Sequence, residues 1–113
     1  LIEHPVSGFY DVAHADGLAA LLPAWLNQSM SVRGDRIKKL GKNVFGNESD
    51  PVGAVEAWLD SVNMKLTLSR IGVGDDKFEA MAQNALDTSR GLLAKDAIHN
   101  SVESIAGLYK AAY

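Results

Sequence analysis

The sequence predicts an all-α fold, a bundle of five to six helices, and three observations carry that expectation. Apolar residues recur at helical spacing in segment after segment, as in Leu18, Leu22, Trp25, Leu26 and Met30. Start and stop signals separate the segments: Asp50-Pro51 opens one, Gly46 closes another, and Asn100-Ser101-Val102-Glu103 reads as a capping box. Hydrophobic residues make up 47% of the 113, enough to supply one core for one small domain.

In order along the chain, Leu1–Phe9 reads as the tail of a helix already under way, and Tyr10-Asp11-Val12-Ala13 as a turn. A second helix opens at Asp16-Gly17 and runs to about Met30, with Pro23 inside it removing a backbone donor and kinking it. A third starts at Gly34-Asp35, places Ile37, Leu40, Val44 and Phe45 on one face, and stops at Gly46. The polar linker Gly46-Asn47-Glu48-Ser49 leads to Asp50-Pro51 and a fourth helix, with Val52, Val55, Trp58, Leu59 and Val62 inward and Asn63 at its end. Met64–Val73 has no clean period and reads as a connector packed through Leu66, Leu68 and Ile71. Asp75 is the expected cap of a fifth helix burying Phe78, Met81, Ala82, Ala85 and Leu86. Ser89–Ala97 reads as a loop or short turn, and the last helix buries Val102, Ile105, Ala106, Tyr109 and Ala112. There is no internal repeat.

Composition narrows the function classes. A net charge of −3 favours neither nucleic acid nor an anionic membrane surface. No apolar run approaches the length of a membrane span, and no signal peptide is visible. The absence of cysteine removes disulfide frameworks and thiolate metal sites and is compatible with a reducing cytoplasm, the expected location. The chain opens Leu1-Ile2-Glu3-His4 with neither an initiator Met nor a capping residue, which reads as a piece of a longer protein; the alternative is a mature chain trimmed at its start.

Candidate chemistry concentrates in the first seventeen residues, where His4 and His14 lie ten apart. A histidine at the junction of a turn and a helix suits either a metal ligand aimed into a cleft or a surface capping residue, and spacing alone does not choose between them. His4 has the same status, whereas His99 reads as solvated. Asp11 and Asp16 flank His14 and suit two roles, acceptors orienting a ligand histidine or turn and cap residues, with capping favoured for Asp16. Trp25, Trp58, Phe45 and Phe78 read as core. No glycine-rich phosphate loop is present, and Lys38, Lys39 and Lys42 form a solvated face too small for nucleic acid.

The opening stretch resembles the second signature region of the iron-containing alcohol dehydrogenases, in particular their butanol dehydrogenase branch. His4-Pro5-Val6-Ser7-Gly8, Phe9-Tyr10, Val12, His14-Ala15-Asp16-Gly17 and Leu21-Leu22-Pro23 follow that region in order. Weaker likeness extends through Val44-Phe45-Gly46, Asp50-Pro51 and Leu68-Ser69-Arg70-Ile71-Gly72-Val73. Ala15 stands where the family usually has Gly after its ligand histidine, and Asn63 where a helix-ending Gly is common.

The resemblance implies that residues 1–113 are part of the helical C-terminal metal-binding domain of a dehydroquinate synthase-like alcohol dehydrogenase, without its N-terminal nucleotide-binding domain. It implies a divalent metal, Fe2+ or Zn2+, held by one Asp and three His, of which His14 would be the last and the others would precede Leu1. His4 would line the site without being a ligand. NAD(H) or NADP(H) would be bound mainly by the absent domain, the substrate would be a small primary alcohol or aldehyde, and the full-length enzyme would be a homodimer with no nucleic-acid or membrane partner. Alone, the 113 residues would be inactive and would leave apolar helix faces uncovered. The alternatives are a glycerol dehydrogenase or dehydroquinate synthase relative, and a stand-alone helical binding module without catalysis.

Overall fold

A computed structural model describes residues 1–113, and all regular structure in it is helical. The elements are α1 (His4–Tyr10), α2 (His14–Phe45), α3 (Pro51–Ser61), α4 (Phe78–Thr88), a 3-10 turn at Leu93–Lys95, and α5 (Val102–Ala111). Helix α2 carries the expected second and third helices as two arms, divided where Arg33 adopts a non-helical conformation (φ −129°, ψ 15°). The break lies there and not at Pro23, where the backbone stays helical. No helix is long and apolar enough to cross a membrane.

Two apolar clusters hold these elements together, and α2 belongs to both. Val6, Ala20, Leu21, Leu68, Val73, Phe78, Met81, Ile105 and Tyr109 are among the buried residues that join α1, the first arm of α2, the connector, α4 and α5. Ala19, Leu26, Ile37, Val52, Val55 and Leu59 form the second cluster, between the two arms of α2 and α3. This double burial corrects the expected inward face of the first arm. Ala19, Ala20 and Leu21 are buried on successive positions, while Leu18 is 50% exposed. A helix packed on two sides needs small residues between its large ones, and a single apolar stripe does not describe it. Similarly, Leu40 and Val44 on the second arm, Trp58 on α3 and Val62 just past its end are exposed rather than core.

The helix ends follow local chemistry. Asp50 caps α3 by accepting a hydrogen bond from the Gly53 N–H (3.0 Å), as expected, and Asn63 takes the left-handed conformation after its end (φ 59°). Gly46 ends α2 at φ 65°. Just before it, Gly41 lies so close to the α2–α3 linker that a Cβ there would stand 2.6 Å from Pro51 Cβ, so this position admits no side chain without moving backbone. Three expected starts shift. The first helix begins at His4 with Pro5 in its first turn, where a residue without an N–H forfeits no bond, so Leu1 and Ile2 precede it outside regular structure. The fifth begins at Phe78, with no side-chain cap from Asp75. The last is capped reciprocally by Ser101 and Ser104, so the box sits one residue later than Asn100–Glu103.

Two long-range polar links tie the chain's ends to this frame. Tyr109 on α5 is fully buried, and its hydroxyl donates to the Ile2 carbonyl oxygen (2.5 Å), pinning the segment before α1. Arg33, at the break in α2, pairs with Asp96 beyond the 3-10 turn and lies 5.8 Å from the centre of the Trp25 ring. The Arg33 hydrogen bond outweighs burial and holds the Asp96 carboxyl below its ordinary value.

Replacing Tyr109 with Phe leaves the Ile2 carbonyl without its partner and is expected to cost about 1–3 kcal/mol, read by urea unfolding. Because Asp96 binds its proton less readily folded than unfolded, the pair stabilises the chain above the ordinary carboxylate value of 3.8 and ceases to do so as pH falls through the lower folded value. Arg33→Ala is therefore expected to lower stability by about 1 kcal/mol at neutral pH, the partial exposure of both groups limiting the effect. The difference from wild type should shrink in acid below pH 3.8; a constant difference would contradict it.

Candidate metal-ligand site

The site is built where two helices begin side by side. The turn at Tyr10–Ala13, with Asp11 left-handed at φ 52° as the end of α1, reverses the chain so that α2 starts next to the start of α1. His4 is the first residue of α1 and His14 the first of α2. Their rings stand 5.6 Å apart, centroid to centroid, tilted by 46°, and both side chains are exposed. The two histidines that are separated in sequence are thus brought together, whereas His99, exposed ahead of α5, takes no part.

Beneath them lies a residue to which sequence reasoning gave no role. Glu3, at the N-cap position of α1, is only 2% exposed. Its Oε1 accepts a hydrogen bond from the Ser7 hydroxyl (2.5 Å), one helical turn on. Its Oε2 is buried with no hydrogen bond, and the group that stands directly against it is Nδ1 of His14. A buried carboxylate is costly unless it is paired, and His14 is the basic side chain in contact with it. The second helix makes room for it: a Cβ on Gly17 would come within 2.9 Å of Glu3 Cγ, so the glycine at the first turn of α2 is the space the carboxylate occupies. The signal available in the sequence was the Glu3–Ser7 spacing of four, together with a glycine in the first turn of α2.

Around this centre the fold supplies supports. The Tyr109 hydroxyl holds the Ile2 carbonyl, immediately before Glu3. Burial, and secondarily the Glu3 charge, push the Tyr109 phenol well above its ordinary range, so it stays a neutral donor. At the other end of α1 the Tyr10 hydroxyl contacts Gly74 O (3.2 Å) and Asp76 Oδ1 (2.9 Å), fastening the turn to the start of the α4 region. Neither Asp11 nor Asp16 forms a hydrogen bond or ion pair with His14: Asp11 ends α1, and Asp16 lies in the first turn of α2, where a negative charge complements the helix dipole. An apolar recess of about 280 Å³, lined by Leu18, Leu21, Leu22, Trp25 and Leu93 among others, shares Glu3 with the cluster but neither histidine.

The donor set fits one corner of a metal site. The His14 side chain is 55% exposed, and with Glu3 against its Nδ1 the ring's candidate donor to a divalent metal is Nε2. No three His, Asp or Glu side chains gather anywhere in the chain to hold an ion among themselves.

Comparison with known proteins places the sequence in a family. Residues 1–113 match the Fe-containing alcohol dehydrogenase family, C-terminal. The chain is 31% identical, over 99% of its length, to the NADH-dependent butanol dehydrogenase A of Clostridium acetobutylicum, of which it covers 31%. It is 31% identical over 73% of its length to the NADP-dependent alcohol dehydrogenase 3 of Entamoeba histolytica, covering 22% of that protein. It is 30% identical over 75% of its length to the probable NADH-dependent butanol dehydrogenase 1 of Bacillus subtilis, covering 24% of it. The chain spans less than a third of the length of these curated relatives. No solved structure matches it significantly. With a match along its whole length and an all-helical fold, the chain belongs to the iron-containing alcohol dehydrogenase family and corresponds to its C-terminal region.

Proposed function

We propose that residues 1–113 are part of the helical metal-binding domain of an NAD(P)-linked enzyme that interconverts small primary alcohols and aldehydes, butanol-like in substrate class. A nucleotide-binding domain would lie outside these residues, and the full-length enzyme would act as a homodimer. The observation that carries the reading is the His14 imidazole, held at Nδ1 by a buried carboxylate and open at its other nitrogen. Sequence similarity along the chain to proteins named as NADH-dependent butanol dehydrogenases supports the substrate class.

In this reading His14 supplies one ligand through Nε2, and residues beyond these 113 supply the others. A bound divalent ion, Fe2+ or Zn2+, supplies Lewis acidity toward the alcohol or aldehyde oxygen while the nicotinamide carries the hydride. The work of this chain is positioning. The helix starts bring His4 and His14 to one surface, with Glu3 beneath them. His4 lines the site next to the ligand, where its ring is placed to contact substrate or to relay a proton.

The test uses the intact enzyme that carries these residues. His14→Ala is expected to lose bound metal and, with it, reduction of butanal, whereas His4→Ala keeps the metal and lowers kcat by roughly 10²-fold if it relays a proton. The 113 residues alone, supplied with Fe(II) or Zn(II) and NAD(P)H, are expected not to reduce butanal; robust turnover would contradict the assignment of the other ligands to residues outside them.

A further inference from the structure

We infer that Glu3 is the positioning residue of the metal site: its buried carboxylate selects the ring nitrogen and the ring orientation with which His14 meets the metal. The inference rests on the reading of His14 as a ligand and goes beyond it to a residue with no role in the site until now. Four observations converge. Glu3 is 2% exposed, although carboxylates are almost never buried without a partner. Its Oε2 lacks any hydrogen bond and faces His14 Nδ1, while its Oε1 is occupied by the Ser7 hydroxyl. Gly17 leaves the space that the carboxylate fills. Tyr109, through the Ile2 carbonyl, holds the backbone adjacent to Glu3.

A carboxylate against one ring nitrogen of a histidine keeps the proton on that nitrogen and leaves the other bare, with its lone pair available to a cation. It also removes the rotational freedom that binding would otherwise have to freeze. A merely structural Glu3 would behave differently. Its replacement by Gln keeps the volume and an acceptor for Ser7, and because His14 is 55% exposed it leaves no uncompensated buried charge in the apo fold. The two roles therefore separate in metal affinity, not in folding.

The experiment measures the apparent dissociation constant for Zn(II) of the intact protein, by competition with a chromogenic chelator, for wild type, Glu3→Gln and His14→Ala, with the melting temperature of each apo form as control. Glu3→Gln is expected to weaken binding by about ten- to hundredfold at an unchanged apo melting temperature. If Glu3→Gln binds as tightly as wild type while His14→Ala loses the metal, the positioning role of Glu3 is overturned and the ligand role of His14 stands. If His14→Ala retains wild-type affinity, the ligand reading itself is overturned, and this inference with it. Should Glu3→Gln fail to fold, long-range 1H–15N spectra of the histidine rings in the wild-type apo protein decide: a His14 ring protonated on Nδ1 supports the role, and one protonated on Nε2 overturns it.

Discussion

A carboxylate removed from water must find partners, and the need to satisfy Glu3 links the fold of this chain to its chemistry. Its partners come from separate pieces of local structure. Ser7 lies one turn along α1, His14 begins the next helix, and Gly17 yields space in that helix's first turn. Ser7 needs only the helical turn of α1, whereas His14 and Gly17 are within reach because the turn at Tyr10–Ala13 sets the starts of α1 and α2 side by side. An isolated buried carboxylate would cost several kcal/mol or take up a proton. The pairing instead ties the register of two helices to the position of one imidazole.

The rest of the molecule holds that junction still. Helix α2 runs from the site into both apolar clusters, so its first turn is fixed by packing far from the histidines. Helix α5 reaches back through Tyr109 to the residue before Glu3, and the segment before α4 takes the Tyr10 hydroxyl at the end of α1. A ligand histidine on a helix end gains precision from such supports, because the ring inherits the rigidity of the elements on either side. The exposed Leu40, Val44, Trp58 and Val62 lie on the second arm of α2 and on or just past α3, away from the start of either site helix along the chain.

Much of this architecture was legible in the sequence, where local chemistry decides the outcome. Asp50-Pro51, Gly46 and Asn63 mark helix ends through capping and left-handed geometry that neighbours in sequence determine, and the inward faces of α4 and α5 follow a single apolar stripe. The errors arise where tertiary packing overrides the local signal. Leu18 was expected inward, but the first arm of α2 is covered on two sides and buries Ala19, Ala20 and Leu21 instead. Trp58 and Val62 fit the expected period and are still exposed, since the two arms of α2 bury α3 through Val52, Val55 and Leu59. At the site, the family likeness singled out both histidines, but their proximity depends on a turn whose angle no spacing rule fixes. Glu3 was missed for the same reason: acidic residues next to helix starts are usually solvated, and its burial depends on a glycine fourteen positions later in another helix.

The central claim is that His14 meets the metal through Nε2 while Glu3 holds its Nδ1. An anomalous-diffraction structure of the intact, zinc-loaded enzyme tests it most directly. It should place the metal about 2.0–2.1 Å from His14 Nε2, with the Glu3 carboxylate on the opposite ring nitrogen. A metal bound away from His14, or bound at Nδ1 with Glu3 displaced, would contradict it.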